Sequence, residues 1–287
     1  MSELRIGFLH PGAMGVSLAA TAKNSGHKSF WASSQRSPAT RQRAETHGLF
    51  ELSTVEELCE QCSVIVSVCP PHAATDVAKA VCSSSFSGIF VDVNAISPQR
   101  AQQIDQLLSA AQIDFVDGGI IGPPAWTADK TWLYLSGPSA GRIAKCFSRG
   151  PLEVEVIGHE AGKASALKMC FAANSKGTTA LLSAIMAAAD RLGIRQELEN
   201  QWSRHGSDFA QSATHRIRKA SAKGWRFAGE MEEIASTFTA VGLPEGFHFA
   251  AADIYRRMAC FKDAGQEPSL EDIIDTLFTD APQKAQS

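Results

Sequence analysis

The chain has 287 residues, 44% of them hydrophobic and 20% charged, and a formal net charge of −3, an ordinary globular composition with room for one large core or two smaller ones. So weak a charge balance gives no reason to expect nucleic acid or an anionic membrane as a partner, and no apolar run is long enough to span a bilayer. The first residues lead almost directly into a strand rather than a leader peptide, and the seven cysteines follow no framework spacing, so a cytoplasmic protein with reduced thiols is expected.

The run Ile6 to Leu9 reads as a buried strand, followed by the tight turn His10-Pro11-Gly12-Ala13-Met14-Gly15. Helical spacing then places Met14, Leu18, Ala19 and Ala22 on one side until Gly26 stops the helix. Strand, glycine turn and helix in that order form a dinucleotide-binding unit. The glycines let backbone approach a pyrophosphate, and the helix start offers unpaired N–H groups and a positive dipole end. The fingerprint asks for glycine at position 10, where this chain has His10, but Gly12 and Gly15 are kept. Pro11 pushes His10 toward an extended conformation, in which glycine's freedom is less needed.

A second strand, Lys28 to Ala32, ends in Ser33-Ser34-Gln35-Arg36-Ser37, and no Asp or Glu stands between His27 and Arg43. An acidic residue here would accept from the ribose 2′-OH of NAD, whereas Arg with small polar neighbours suits the 2′-phosphate of NADP. Arg36, backed by Arg41 and Arg43, favours NADP(H), with NAD(H) still possible; the alternative is a solvated basic helix start.

A helix over Thr54 to Cys62 carries the CxxC pair Cys59 and Cys62. No second pair stands at zinc spacing, and the pair ends a helix instead of opening one, so neither a metal nor a redox role is expected. The strand Ser63 to Val68 leads to Cys69-Pro70-Pro71-His72, and a helix over Ala73 to Val81 leads to the strand Gly88 to Val93. Asn94-Ala95-Ile96-Ser97-Pro98 opens a helix through Leu108; strands follow at Asp114 to Asp117, Thr131 to Leu135 and Leu152 to Ile157. Continuous apolar strands between helices predict a doubly wound, mostly parallel sheet covered on both faces.

From Glu160 the character changes: Ala161 to Leu192 has no proline and few charges and reads as one long, nearly buried helix. Helical patterns continue over Gln196–His205, Ser207–Ser221, Gly229–Val241, Gly246–Ala264 and Ser269–Phe278. The expected class is therefore α/β plus all-α, with an α/β domain over 1–158 and a helical domain over 159–287. The long helix carries more apolar surface than so small a domain covers, which predicts a homodimer through the helical domain.

The order of pieces resembles the β-hydroxyacid dehydrogenase superfamily, which includes 6-phosphogluconate dehydrogenase and 3-hydroxyisobutyrate dehydrogenase. The stretch Gly7 to Gly15, GFLHPGAMG, is similar to the family's GFxGLGxMG, and Val91 to Pro98 resembles VDxSTxSP with Asn94 and Ala95 replacing Ser and Thr. Asp117 to Pro123 sits where the family has DAPVSGG, and Gly162 to Lys168 falls on GxGxxxK with Ala164 in place of the second glycine. The phrases SALKMCFAANSKGTTALL and WRFAGEMEEIA resemble a subgroup whose C-terminal part is the domain of unknown function 1932. The resemblance covers nearly the whole chain and weakens at its end. It implies a Rossmann domain followed by a helical substrate and dimerisation domain, and an NAD(P)-dependent oxidoreductase acting on CH–OH groups.

The resemblance also places Lys168 at the catalytic lysine. The residue itself agrees: a lysine in an alanine- and methionine-rich helix either snorkels out or sits partly buried, where its amine can give or take the proton of a hydroxyl or carbonyl. The alternative is a surface lysine on the wet face. The expected cofactor set is His10, Pro11, Gly12, Ala13, Met14, Gly15, Ser33, Ser34, Arg36, Cys69, Pro70 and Asn94.

Three departures bear on substrate. The family follows its lysine with asparagine three or four residues on, where this chain has Phe171 and Ala172. Asn174 lies roughly 240° round an α-helix from Lys168, so Ser175 is the better polar candidate. Ile121 replaces a carboxylate-binding serine, although Gly118, Gly119 and Gly122 still offer backbone N–H groups. Glu230 falls near the family's C-terminal Lys-Asp pair, turning a positive charge negative. A larger, more apolar substrate against Ile121 and Phe171 is expected, with a cationic group meeting Glu230 or Glu233; a solvated glutamate turn is the alternative. Trp126, Trp132, Trp225 and His248 read as core before pocket. Two other functions stay open: imine reduction on the same fold, and a cofactor-binding protein or redox sensor without turnover.

Overall fold

Short apolar runs without interruption form the strands of the first unit, Met1–Met169. The computed structural model describes residues 3–262 and 264–279. Strands β1 (Arg5–Phe8), β2 (Lys28–Ala32), β3 (Phe50–Leu52), β4 (Val64–Ser67), β5 (Ile89–Asp92), β6 (Asp114–Ile121), β7 (Thr131–Ser136) and β8 (Leu152–Gly158) make one sheet in the order β3-β2-β1-β4-β5-β6-β7-β8. Every neighbouring pair runs parallel except β6 with β7. Between β1 and β4 the chain order reverses, which is where an open α/β sheet opens a crevice beyond its strand ends.

The crossovers carry helices α1 (Ala13–Asn24), α2 (Pro38–Thr46), α3 (Val55–Gln61), α4 (Ala74–Cys82), α5 (Pro98–Ala110) and α6 (Ala140–Cys146). Alternation along the strands serves two cores. Ile6, Phe8, Val64, Val66, Val91 and Val116 face one layer, and Phe30, Ala32, Ile65, Phe90 and Phe115 the other. Cys59 and Cys62 belong to the second core, where burial raises both thiols, Cys62 to about 12.

The second unit, Cys170–Ser287, is helical. Helix α7 (Lys163–Ala172) crosses the division and runs through a π turn, Ala173–Gly177, into α8 (Thr178–Arg191). There follow α9 (Arg195–Trp202), α10 (Phe209–Ser221), α11 (Gly224–Ala240), α12 (Gly246–Arg257) and α13 (Leu270–Leu277). Helix α8 packs on α10, α12 and α13, and α11 lies along α12. Met186, Ile217, Ile234, Tyr255 and Ile273 are fully buried in this unit.

Two expectations for the long helix are corrected. It is not one regular helix, because the π turn releases carbonyls: Ser175 O accepts from Arg216, and Lys176 O accepts from Tyr255 Oη at 2.8 Å. Nor is it nearly buried, since Leu167, Phe171 and Leu181 are well exposed. The division also falls at Met169, beyond the expected boundary at Gly158, because the first turns of α7 are bonded to the sheet. No helix among the described residues is long and apolar enough to cross a membrane.

Candidate functional site

The glycine turn sits at the end of β1, in the crevice. A Cβ on Gly15 would lie 2.3 Å from His10 O, so the first turn of α1 can close onto the strand end only with glycine there. A Cβ on Gly12 would meet nothing within 4 Å, so backbone there is open to a close-approaching group. Helix α1 has no acidic residue in its first turn and no side-chain cap, leaving its N–H groups to an outside acceptor. Among the described residues, the buried His10 Nδ1 and Arg36 Nε have no hydrogen-bond partner. Those two donor-capable nitrogens, the open Gly12 and the uncapped helix fit an anionic dinucleotide.

Ser33 and Ser34 extend β2 by donating their N–H groups to Leu52 O and Ser53 O, and Arg36 N closes the turn onto Ser33 O at 3.2 Å. Gln35 occupies the left-handed region at φ 59° within that turn. Sequence reasoning overlooked Glu51 on β3, which bonds Arg41 and Ser33. Arg41 is therefore paired within the chain, while Arg36 lies near enough to His10 for its charge to act on the imidazole.

At the end of β4, Cys69 N donates to Asn94 Oδ1. Asn94 Nδ2 donates to Ser67 Oγ at 3.0 Å and to Asp92 Oδ2 at 2.8 Å. Asn94 thus spends its side chain on bracing the Cys69-Pro70 loop, and any cofactor role runs through that loop. Burial holds the Cys69 thiol at about 12, with Asp92 adding to the shift. Burial likewise raises Asp92 to about 7, with Asp117 adding to it against the hydrogen bonds from Asn94.

Next along the sheet, Asp117 anchors the helix that carries Lys168. Its Oδ2 accepts from Gly162 N and Ser165 N, both at 3.0 Å, and from Ser136 Oγ at 2.9 Å; its Oδ1 accepts from Ser165 Oγ. A carboxylate at the start of α7 also complements the helix dipole. Burial raises its pKa while these hydrogen bonds oppose the shift. The available signal was an aspartate inside an apolar strand, which folds only when its oxygens find donors.

Lys168 is half-buried, and its seat is Gly119: a Cβ there would stand 2.6 Å from Ala164 O and 2.9 Å from Lys168 Cβ. The other glycines expected to offer N–H groups also have packing reasons. A Cβ on Gly118 would strike Val93 at 2.6 Å, and Gly122 holds φ 129° against Lys130 O. Ile121 pairs with the half-exposed Trp132 across β6 and β7. The first unit thus carries His10, Arg36, Cys69 and Asn94 beyond the ends of β1, β2, β4 and β5 and Lys168 on α7 against β6, with Asp92 bracing Asn94 and Asp117 anchoring the start of α7.

In the second unit the candidates have other partners. Glu230 is nearly buried and pairs with Lys176 at 2.5 Å, so its charge is met within the chain. Ser175 lies in the π turn, where the α-helical phase that tied it to Lys168 no longer applies. Phe171 is 47% exposed. Trp126 and Trp132, which belong to the first unit, and Trp225 are not core: Trp126 stacks on His47 at 4.7 Å, and Trp225 carries Lys262 over its ring. His248 is buried between Phe238 and Phe247. Among the described residues no group of three or more His, Cys, Asp or Glu is placed to hold a metal.

Comparison with known proteins follows the same division. A family model described as the NAD binding domain of 6-phosphogluconate dehydrogenase matches residues 5–146, and a domain of unknown function (DUF1932) matches residues 189–258. An uncharacterized 28.5 kDa protein of Methanothermus fervidus is 31% identical over 163 residues, 57% of this chain, and the match spans 62% of that protein's length. The conserved protein MTH1747, of unknown function and structurally similar to 3-hydroxyacid dehydrogenases, is 30% identical. That likeness covers 90% of this chain and 99% of the other, with a TM-score of 0.66. A Mycobacterium tuberculosis 3-hydroxyisobutyrate dehydrogenase, solved with L-serine, has the same fold at 18% identity; the match covers 97% of this chain and all of the other, with a TM-score of 0.69.

Proposed function

We propose that this chain, which belongs to the 6-phosphogluconate dehydrogenase-like oxidoreductases that carry the C-terminal domain of unknown function 1932, is an NADP(H)-dependent enzyme interconverting a hydroxyl and a carbonyl, with Lys168 as its acid and base. The observation that carries the reading is the seat of Lys168 on Gly119 of β6, in the same sheet whose β1 ends in the glycine turn. A bound nicotinamide would supply or accept the hydride. The Lys168 ammonium gives its proton to the carbonyl oxygen as that oxygen becomes a hydroxyl; in the other direction the amine takes it back. The backbone from His10 to Gly15 holds the pyrophosphate, and Arg36 with Ser33 and Ser34 holds the 2′-phosphate. Ile121, in place of a polar residue, favours an apolar substrate body. With Glu230 already paired, a cationic substrate group has no support from it.

The test is a thermal-shift comparison of NADPH with NADH, followed by a panel of aldehydes, ketoacids and imines. NADPH should give the larger shift, since a ligand that binds only the folded state stabilises it according to its affinity. Lys168→Ala should keep the shift and lose turnover; retained turnover refutes the proton-transfer role. We also propose a homodimer through the helical unit, supported by exposed Leu181, Leu192 and Val241 there. A monomeric mass by light scattering at micromolar concentration refutes it.

A further inference from the structure

The cradle departs from the dinucleotide pattern at one position, and that position has a neighbour. His10 occupies the first glycine site with Nδ1 buried, and Arg36 reaches the same crevice with Nε buried; neither nitrogen has a hydrogen-bond partner among the described residues. Two unsatisfied buried nitrogens from separate loops are costly unless an acceptor comes to them. The side chains are close enough to interact: burial, with the Arg36 cation adding to it, lowers His10 to about 4. From the β4 loop, Cys69 faces Arg36 as an uncharged thiol, and Asp92 on β5 acts on that thiol. Arg36 is thus the charged group bearing on His10, and its charge adds to burial in keeping the imidazole neutral.

We propose that His10 and Arg36 together clamp the 2′-phosphate of NADP(H), and that His10 takes up a proton from solvent as the phosphate binds. The inference rests on the NADP(H) reading above. A phosphate monoester is nearly a dianion above pH 7, since its second ionisation lies near 6. Its two charges offset Arg36 and favour the imidazolium, which then donates through Nδ1 while Arg36 donates through Nε. No covalent bond changes. A glycine at position 10 has no such proton to take.

Calorimetric titration of NADPH and NADH at pH 7.5, in buffers of different ionisation enthalpy, counts the protons taken up. For the wild type, NADPH should bind with net uptake and weaken by up to about tenfold per pH unit above 7, while NADH shows neither effect. His10→Gly, which restores the pattern's residue, and His10→Gln should bind NADPH about tenfold more weakly, without uptake and with a flat pH profile. Uptake that persists in both variants, or none in the wild type, overturns the proposal. If NADPH binds the wild type no better than NADH and Arg36→Ala changes nothing, the NADP(H) reading falls and the clamp with it. If Arg36→Ala abolishes an NADPH preference that carries no proton uptake, the role of His10 alone falls.

Discussion

Asp117 gives the sharpest test of how the fold positions Lys168. Replacement by alanine removes the acceptor for two backbone N–H groups, those of Gly162 and Ser165. The hydroxyls of Ser136 and Ser165 can rotate, and Ser136 Oγ keeps its bond from Ala164 N at 3.0 Å. The N–H groups are fixed by the helix and cannot. Each buried donor left without a partner costs ~1–3 kcal/mol, so Asp117→Ala should lose about 4 kcal/mol. Asp117→Asn behaves differently. Its amide oxygen in the Oδ2 position keeps three bonds, and its NH2 in the Oδ1 position donates to Ser165 Oγ. Weaker neutral hydrogen bonds are offset by no longer burying a charge, so its loss should stay below about 1.5 kcal/mol. Urea unfolding reads both, with the midpoint moving and the slope unchanged. Turnover should fall further in the alanine variant, because the start of α7 loosens, while NADPH affinity holds. An alanine variant within 1 kcal/mol of wild type on the scale of these losses, or an asparagine variant as unstable as alanine, refutes the acceptor-geometry account.

The remaining predictions address the seat, the proton and the buried acid. Gly119→Ala places a methyl 2.6 Å from Ala164 O and 2.9 Å from Lys168 Cβ; it should cost ~1–3 kcal/mol and depress kcat with little change in cofactor affinity, and unchanged turnover sinks the seat. Lys168→Ala should lose about 10²–10⁴-fold in kcat while keeping the NADPH thermal shift. Asp92, raised to about 7, holds in the folded state a proton that the unfolded chain releases near 3.9. Its stabilising effect is full below the lower value and lost as pH rises through about 7. Asp92→Asn should therefore gain on the wild type by up to ~4 kcal/mol between pH 4 and 8, and a pH-independent difference refutes the shift.

The cofactor half of the molecule was legible because its signals are local. An apolar strand, two retained glycines and a helix start fix one another within twenty residues, and Gly15 must be glycine for a reason visible in one turn. The same locality explains the successful reading of β4 and β5 as continuous buried runs, whereas β6 runs on through Gly118 and Gly119 to Ile121, beyond the Asp117 at which its reading stopped. What escaped was short or depended on distant partners. Strand β3 is three residues long and shows no alternation. Glu51 lies outside the stretch where an acid near β2 was sought, yet register brings it opposite Trp31. Asn94 was legible as a residue at a strand end, but its three hydrogen-bond partners come from β4, β5 and the loop between them.

The substrate half was harder for a reason that Glu230 makes plain. A charge in a sequence specifies only half of an interaction, and its partner decides whether it faces a ligand or the fold. Glu230 and Lys176 are both nearly buried, and removing one member of such a pair costs ~3–5 kcal/mol because it strands the other charge. Lys176 lies in the π turn, whose extra residue breaks the α-helical phase used to place residues beyond Lys168. Lys176 also sits over the Phe227 ring, and its carbonyl is held by Tyr255. Glu230 is thereby explained without a cationic substrate. The same pairing shows why the charge of Glu230 alone could not be read as a substrate contact.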